Sequence, residues 1–210
     1  MKLKKKVKRM LIIFVVILVL IAAGVGALIY FKTPKKKAVP EVKIVNEVDK
    51  YDYKLKETKS NTYKKMFEEL KKILKEEKVD EEAYAKKVAE MFIYDFYTLN
   101  DKAAKTDIGG VDFVYSSAVE NFLQNAQDTY YKYVESNIYN ERKQSLPEVT
   151  NITINNVEQK EFAYGDQTDS SAYFVNVTWS YTDEQFADYQ KEATIVLIHD
   201  DIKLSIVELQ

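Results

Sequence analysis

Hydrophobic positions fall into three successive regimes along the chain: an unbroken apolar run, then stripes at helical spacing, then alternation with a period of two. The run is Met10–Phe31, 22 residues without a charge and with only Gly24 and Gly26 outside the apolar set. At about 1.5 Å rise per residue a helix of that length spans the ~30 Å hydrocarbon layer of a bilayer, and a helix pairs every backbone polar group within the segment. The pattern predicts a transmembrane helix. A secretory apolar region of about 7–15 residues is shorter than this one, so the reading is an uncleaved anchor rather than a cleaved leader. Residues 32–50 carry Pro34 and Pro40 among lysines and isolated valines, which predicts an extended tether ahead of a folded domain over 51–210.

Three helical stripes follow. Ser60 is placed to cap a helix whose apolar face is Tyr63, Met66, Phe67, Leu70, Ile73 and Leu74. Asp80 caps the next, with Glu81 and Glu82 in its first turn and Tyr84, Val88, Met91, Phe92 and Leu99 on one face. A polar break from Asn100 to Gly110 closes on the only Gly-Gly pair, and a third helix is predicted from about Asp112 to Ser136, with Phe122, Ala126, Tyr130, Tyr133 and Val134 on its apolar side. After Pro147 the period becomes two. Strands are predicted over 149–164, 171–181 and 190–199, and a fourth after a turn at Asp200-Asp201. Helices first and a meander second predict an α+β fold, about three helices on a bent antiparallel sheet of 3–4 strands.

Charge sharpens this picture. Residues 1–37 hold ten basic residues and no acid, leaving 21 basic against 33 acidic residues for 38–210. The basic flanks favour a cytoplasmic amino-terminal tail (1–9), a span in the cell membrane (10–31) and an extracytoplasmic domain. An acidic domain repels phosphate backbones, so nucleic-acid binding is not expected. The expected partners are the bilayer, through Met10–Phe31, and other proteins or further copies of the chain. Lysine over arginine at 29 to 2 and the absence of cysteine match the usage of an AT-rich bacterial gene. Without cysteine, and with His199 as the one histidine, thiolate and multi-histidine metal sites are excluded. No Gly-rich phosphate loop is present, and no cofactor is expected.

The order of a membrane span, three helices and long antiparallel strands ending in a hairpin resembles the nuclear-transport-factor-2-like cone fold. Within that superfamily it is similar to the extracytoplasmic domains of inner-membrane assembly components of type IV secretion and conjugation machines. The resemblance covers about 55–210 by element order, and no functional residue is carried over from it. It implies a domain that scaffolds or recruits partner proteins and is not an enzyme. The same fold also hosts isomerases and dehydratases, so a small-ligand pocket turned over by Asp95 is the alternative.

Asp95, in the apolar stretch MFIYDFYTL, is the residue that alternative needs: a carboxylate whose pKa is raised by desolvation acts as a general base. The structural alternative is a bonded carboxylate, for which Asp95→Asn leaves stability nearly intact. His199 beside Asp200 and Asp201 offers an acid/base pair or a solvated turn. Asp166, Asp169, Asp183, Glu184 and Asp188 read as solvated charges on strand connections. Tyr130, Tyr131, Tyr133 and Tyr139, with Trp179 and Tyr181 on a strand, line either a docking surface or the core.

Overall fold

A computed structural model describes residues 43–210. The order is β1 (Ile44–Val48), β2 (Tyr53–Lys56), α1 (Asn61–Lys75), α2 (Glu81–Tyr97), α3 (Val119–Asp128), β3 (Val149–Tyr164), β4 (Gln167–Tyr181), β5 (Glu192–Asp200) and β6 (Lys203–Leu209). The fold is α+β: three helices, a four-stranded antiparallel sheet in the order β3-β4-β5-β6, and a separate β1-β2 hairpin. The transmembrane helix expected at Met10–Phe31 lies outside the described residues. Among the described residues no helix is long and apolar enough to cross a membrane.

Both long helices start where their caps place them. Ser60 Oγ accepts from Tyr63 N at 3.1 Å, and an Asp80 carboxylate oxygen accepts from Ala83 N at 3.0 Å. Tyr63, Phe67, Leu70 and Leu74 of α1 are buried as the stripe predicts. The α2 helix packs on α1 and on β3 and β4, so it is the central helix and is buried all round from Met91 to Tyr97. Tyr173, Val175, Val177 and Trp179 of β4 face this helical core. On the sheet's other face Ala172, Phe174, Val196 and Ile198 form a smaller cluster under Tyr115 and Phe162, which is why the middle strands are apolar on both sides.

Two expectations change. Ile44–Val48 is not tether but a strand, paired with β2 from Ile44↔Lys56 to Val48↔Tyr53. The hairpin buries Tyr53 and Leu55, and the Tyr53 hydroxyl meets that of Tyr84 at 2.7 Å. The third helix is much shorter than 112–136. Gly110 sits at φ 76° and Tyr115 is extended, so that Tyr115 N can donate to Ile206 O at 2.8 Å and cover the edge of β6. At the far end Thr129 leaves helical geometry, and the Tyr131 hydroxyl is anchored by donating to Phe96 O at 2.7 Å. Tyr131 is therefore buried, while Tyr133, expected on the apolar face, is 76% exposed.

Candidate functional site

An open cleft of about 390 Å³ lies between α2, α3 and β6. Its floor and walls are aromatic because α2 presents Phe92, Phe96 and Tyr97 within two turns and α3 lays Phe122 over them. Phe92 and Phe96 stack at 5.4 Å, Phe122 lies 5.3 Å from Phe96, and Tyr130 meets Tyr97 edge-on at 4.9 Å. Such ring pairs contribute beyond their buried area by about 0.5–1.5 kcal/mol each. The polar residues of the lining, Asn121, Asn125, Thr129, Gln190 and Glu208, are all exposed. An apolar centre is thus ringed by a polar rim.

Of the residues singled out from sequence, Tyr130, Trp179 and Tyr181 come together at one end of this cleft. Tyr97 lies between Tyr130 and Trp179, the latter ring 4.6 Å away. The Tyr130 and Tyr181 hydroxyls are 3.5 Å apart, Tyr181 donates to Gln190 O at 2.8 Å, and Tyr97 donates to Gln190 Oε1 at 3.0 Å. Burial pushes the phenols of Tyr97, Tyr130 and Tyr181 above their ordinary value, so all three stay protonated and neutral. Tyr133 does not join them. Phe92, Phe96, Phe122 and Gln190 complete the site; the phenylalanines read from sequence as ordinary core stripe, and nothing local marks Gln190.

Asp95 is elsewhere. It leaves α2 on the side of the 100–110 segment, where its carboxylate takes Lys59 Nζ, Lys102 Nζ at 3.0 Å and Gly110 N at 2.9 Å. Burial by itself would raise its pKa; the charges of Lys102 and Lys59, with the Lys59 and Gly110 hydrogen bonds, outweigh it and hold the carboxyl well below its ordinary range. A general base needs the opposite shift, so the reading of Asp95 as a desolvated base is corrected: it is an ionised structural anchor. Burial would likewise lower the Lys102 pKa, but Asp95 and Asp101 raise it above the ordinary lysine range. On this geometry Asp95→Asn is expected to cost stability rather than leave it nearly intact.

Compared with protein-family models, with curated proteins and with solved structures, the chain matches none. Its function has to be read from the chemistry of its own surfaces.

His199 pairs with neither Asp200 nor Asp201. Its Nδ1 is 2.8 Å from Asp169 Oδ2, and its Nε2 is 3.4 Å from Glu81 Oε2 at the start of α2. Asp169, expected as a solvated loop charge, is buried and also accepts from His199 N and Ser171 N. The signal was hidden because it joins residues 30 and 118 positions apart. Burial alone would depress the imidazole below 6.5, but the bonds to Asp169 and Glu81 and their charges raise it. A raised histidine pKa stabilises the fold fully below pH 6.5, and the contribution is lost as pH rises through the raised value. With the ring a third exposed, it is worth about 0.5–1 kcal/mol. Urea melts of wild type and His199→Asn should therefore differ most at pH 5.5 and converge in the alkaline range; a gap that widens with pH would contradict the pairing. No group of three His, Asp or Glu side chains among the described residues could hold a metal ion.

Proposed function

We propose that this chain is a single-pass membrane protein whose extracytoplasmic domain recruits a partner protein, taking an apolar segment of that partner into the cleft between α2, α3 and β6. The observation that carries the reading is the cleft's layout, with aromatic rings at the centre and only exposed amide, hydroxyl and carboxylate groups at the rim. Protein interfaces have this anatomy: an apolar, aromatic-rich core within a polar rim, with a few rings dominating the energy. A pocket evolved for one small substrate instead places a few convergent polar groups inside an apolar chamber. The anchor read from Met10–Phe31 would confine the domain to a thin layer at the membrane and raise its effective concentration towards partners there. The scaffolding role is the one implied by the resemblance, in element order alone, to nuclear-transport-factor-2-like domains of secretion and conjugation assemblies.

The reading is tested by a photo-crosslinking amino acid at Asn125, on the rim of the cleft, in cells expressing the full chain. A discrete protein adduct is expected, reduced at least tenfold when Ala118→Trp fills the cleft and absent with the photoprobe at Lys65 on the exposed side of α1. Adducts of equal yield from both positions would contradict the proposal. An adduct only to lipid or a small molecule would transfer the cleft to the ligand-binding alternative.

A further inference from the structure

The face of the sheet turned away from the helices carries a second concavity, an open groove of about 870 Å³ over the ends of β4 and β5. Its floor is built from the outward pleat positions Asn176, Thr178 and Thr194, all half-buried. This is the same pleat that further along holds Phe174 and Val196, so the outer face changes from apolar to uncharged polar within one strand. We propose that this groove is a binding site for a neutral oligosaccharide.

Three observations converge on that chemistry. First, the polar side chains are amides and hydroxyls already held in place. Asn155 Nδ2 donates to Thr178 Oγ1 at 3.2 Å, and Thr194 Oγ1 donates to Asn176 Oδ1 at 2.8 Å. Asn155 Oδ1 also lies 3.4 Å from Thr178 Oγ1, and each amide still has an N–H and a lone pair beyond these bonds. An amide offers a two-proton donor and a two-lone-pair acceptor side by side, the combination that adjacent sugar hydroxyls require. Second, Tyr189 lines the groove with 46% of its surface exposed. Its ring is fixed against Phe186 at 5.3 Å and Tyr181 at 6.2 Å. A rigid, half-exposed ring is a stacking platform with little ordering left to do on binding. Third, charge selects among polymers. Among the described residues, Lys191 and Glu192 are the charged side chains lining the groove and offset each other, while residues 147–210 hold three lysines against twelve acids. Polyanions are repelled by that surround, whereas a neutral glycan is not. A protein partner fits less well here, because the groove lacks the apolar centre that the cleft on the opposite side possesses.

The full-length protein, in lipid nanodiscs to avoid sugar-headed detergents, is titrated with chitotetraose, cellotetraose and maltotetraose by isothermal titration calorimetry. At least one of the three should give a saturable change, and Tyr189→Ala and Asn155→Ala should each weaken it at least tenfold while circular dichroism and melting stay close to wild type. Ala118→Trp, in the opposite cleft, should leave it unchanged, so failure here is separable from failure of the partner-docking proposal. The inference is overturned by no saturable change with any of the three sugars, or by binding that survives both groove substitutions. It is overturned equally by a response to heparin alone that moderate salt abolishes.

Discussion

Asp95→Asn is expected to lower the unfolding free energy by about 3 kcal/mol, the low end of what breaking a buried ion pair costs. The reason lies in what remains behind. Lys102 is 3% exposed and keeps only Asp101 as a counter-charge, at 2.7 Å, and Lys59 loses its paired carboxylate, with Asp112 left as a nearby charge. An asparagine still accepts from Gly110 N, which is why the loss stays near the lower limit. For a domain of this size the shift is roughly 6–12 °C in melting temperature. The pH dependence has a definite sign. Because the native pKa is depressed, the stabilisation is present above the ordinary value of 3.8 and is lost as pH falls through the native value. Wild type and Asp95→Asn should therefore differ across the neutral range and converge only in strong acid. The double variant Asp95→Asn, Lys102→Met should recover part of the loss, since it removes the stranded charge. Equal stability of wild type and Asp95→Asn at pH 7 would contradict the ion-paired anchor.

Gly109→Ala should be at least as damaging, at about 3 kcal/mol or more, beyond ordinary overpacking. A Cβ at Gly109 would stand 1.9 Å from the backbone oxygen of Asp95, and a helix backbone cannot move aside as a flexible side chain does. The 100–110 segment would have to lift off α2. That separation also breaks Gly110 N to Asp95 and Gly109 N to the Tyr131 hydroxyl, 3.1 Å in the native fold. Gly110→Ala meets Phe92, one of the cleft walls, at 2.6 Å and is strained further by φ +76°. The two substitutions separate by readout: Gly109→Ala acts on stability in urea, and Gly110→Ala additionally disturbs the cleft. A Gly109→Ala protein with wild-type stability would mean that the close approach of this segment to α2 is wrong.

The strand order and both helix caps are legible because they depend on neighbours in sequence: Ser60 and Asp80 act within three residues, and the strands are alternating or continuous apolar runs separated by turns. The third helix was overextended because the apolar spacing from Val119 to Val134 suits a helix throughout. Only the tertiary demands on Tyr115 and Tyr131 end it at Asp128. The site was half visible. Aromatic density marks Tyr130, Trp179 and Tyr181 in the sequence, but of these Tyr130 alone lines the cleft, whose walls are Phe92, Phe96 and Phe122, which read as plain core. Asp95 drew notice as a carboxylate in an apolar stretch, yet its role depends on Lys59 and Lys102, whose type is common throughout this lysine-rich chain. Asp169 reads as solvent-facing in the sequence because nothing local announces His199 as its partner.

The proposed recruitment requires the cleft to be occupied by a partner in place at the membrane. The chain has no cysteine, so Asn125→Cys introduces a unique thiol at the cleft rim and Lys65→Cys a unique one on the exposed side of α1. The measurement is the rate of labelling by a membrane-impermeant maleimide, on intact cells and on the purified full-length protein. The account predicts that Lys65→Cys labels equally fast in both, and that Asn125→Cys is slowed at least tenfold on cells but reacts freely once purified. Equal Asn125→Cys rates in the two settings would contradict an occupied cleft, and failure of Lys65→Cys to label on cells would contradict the extracytoplasmic placement.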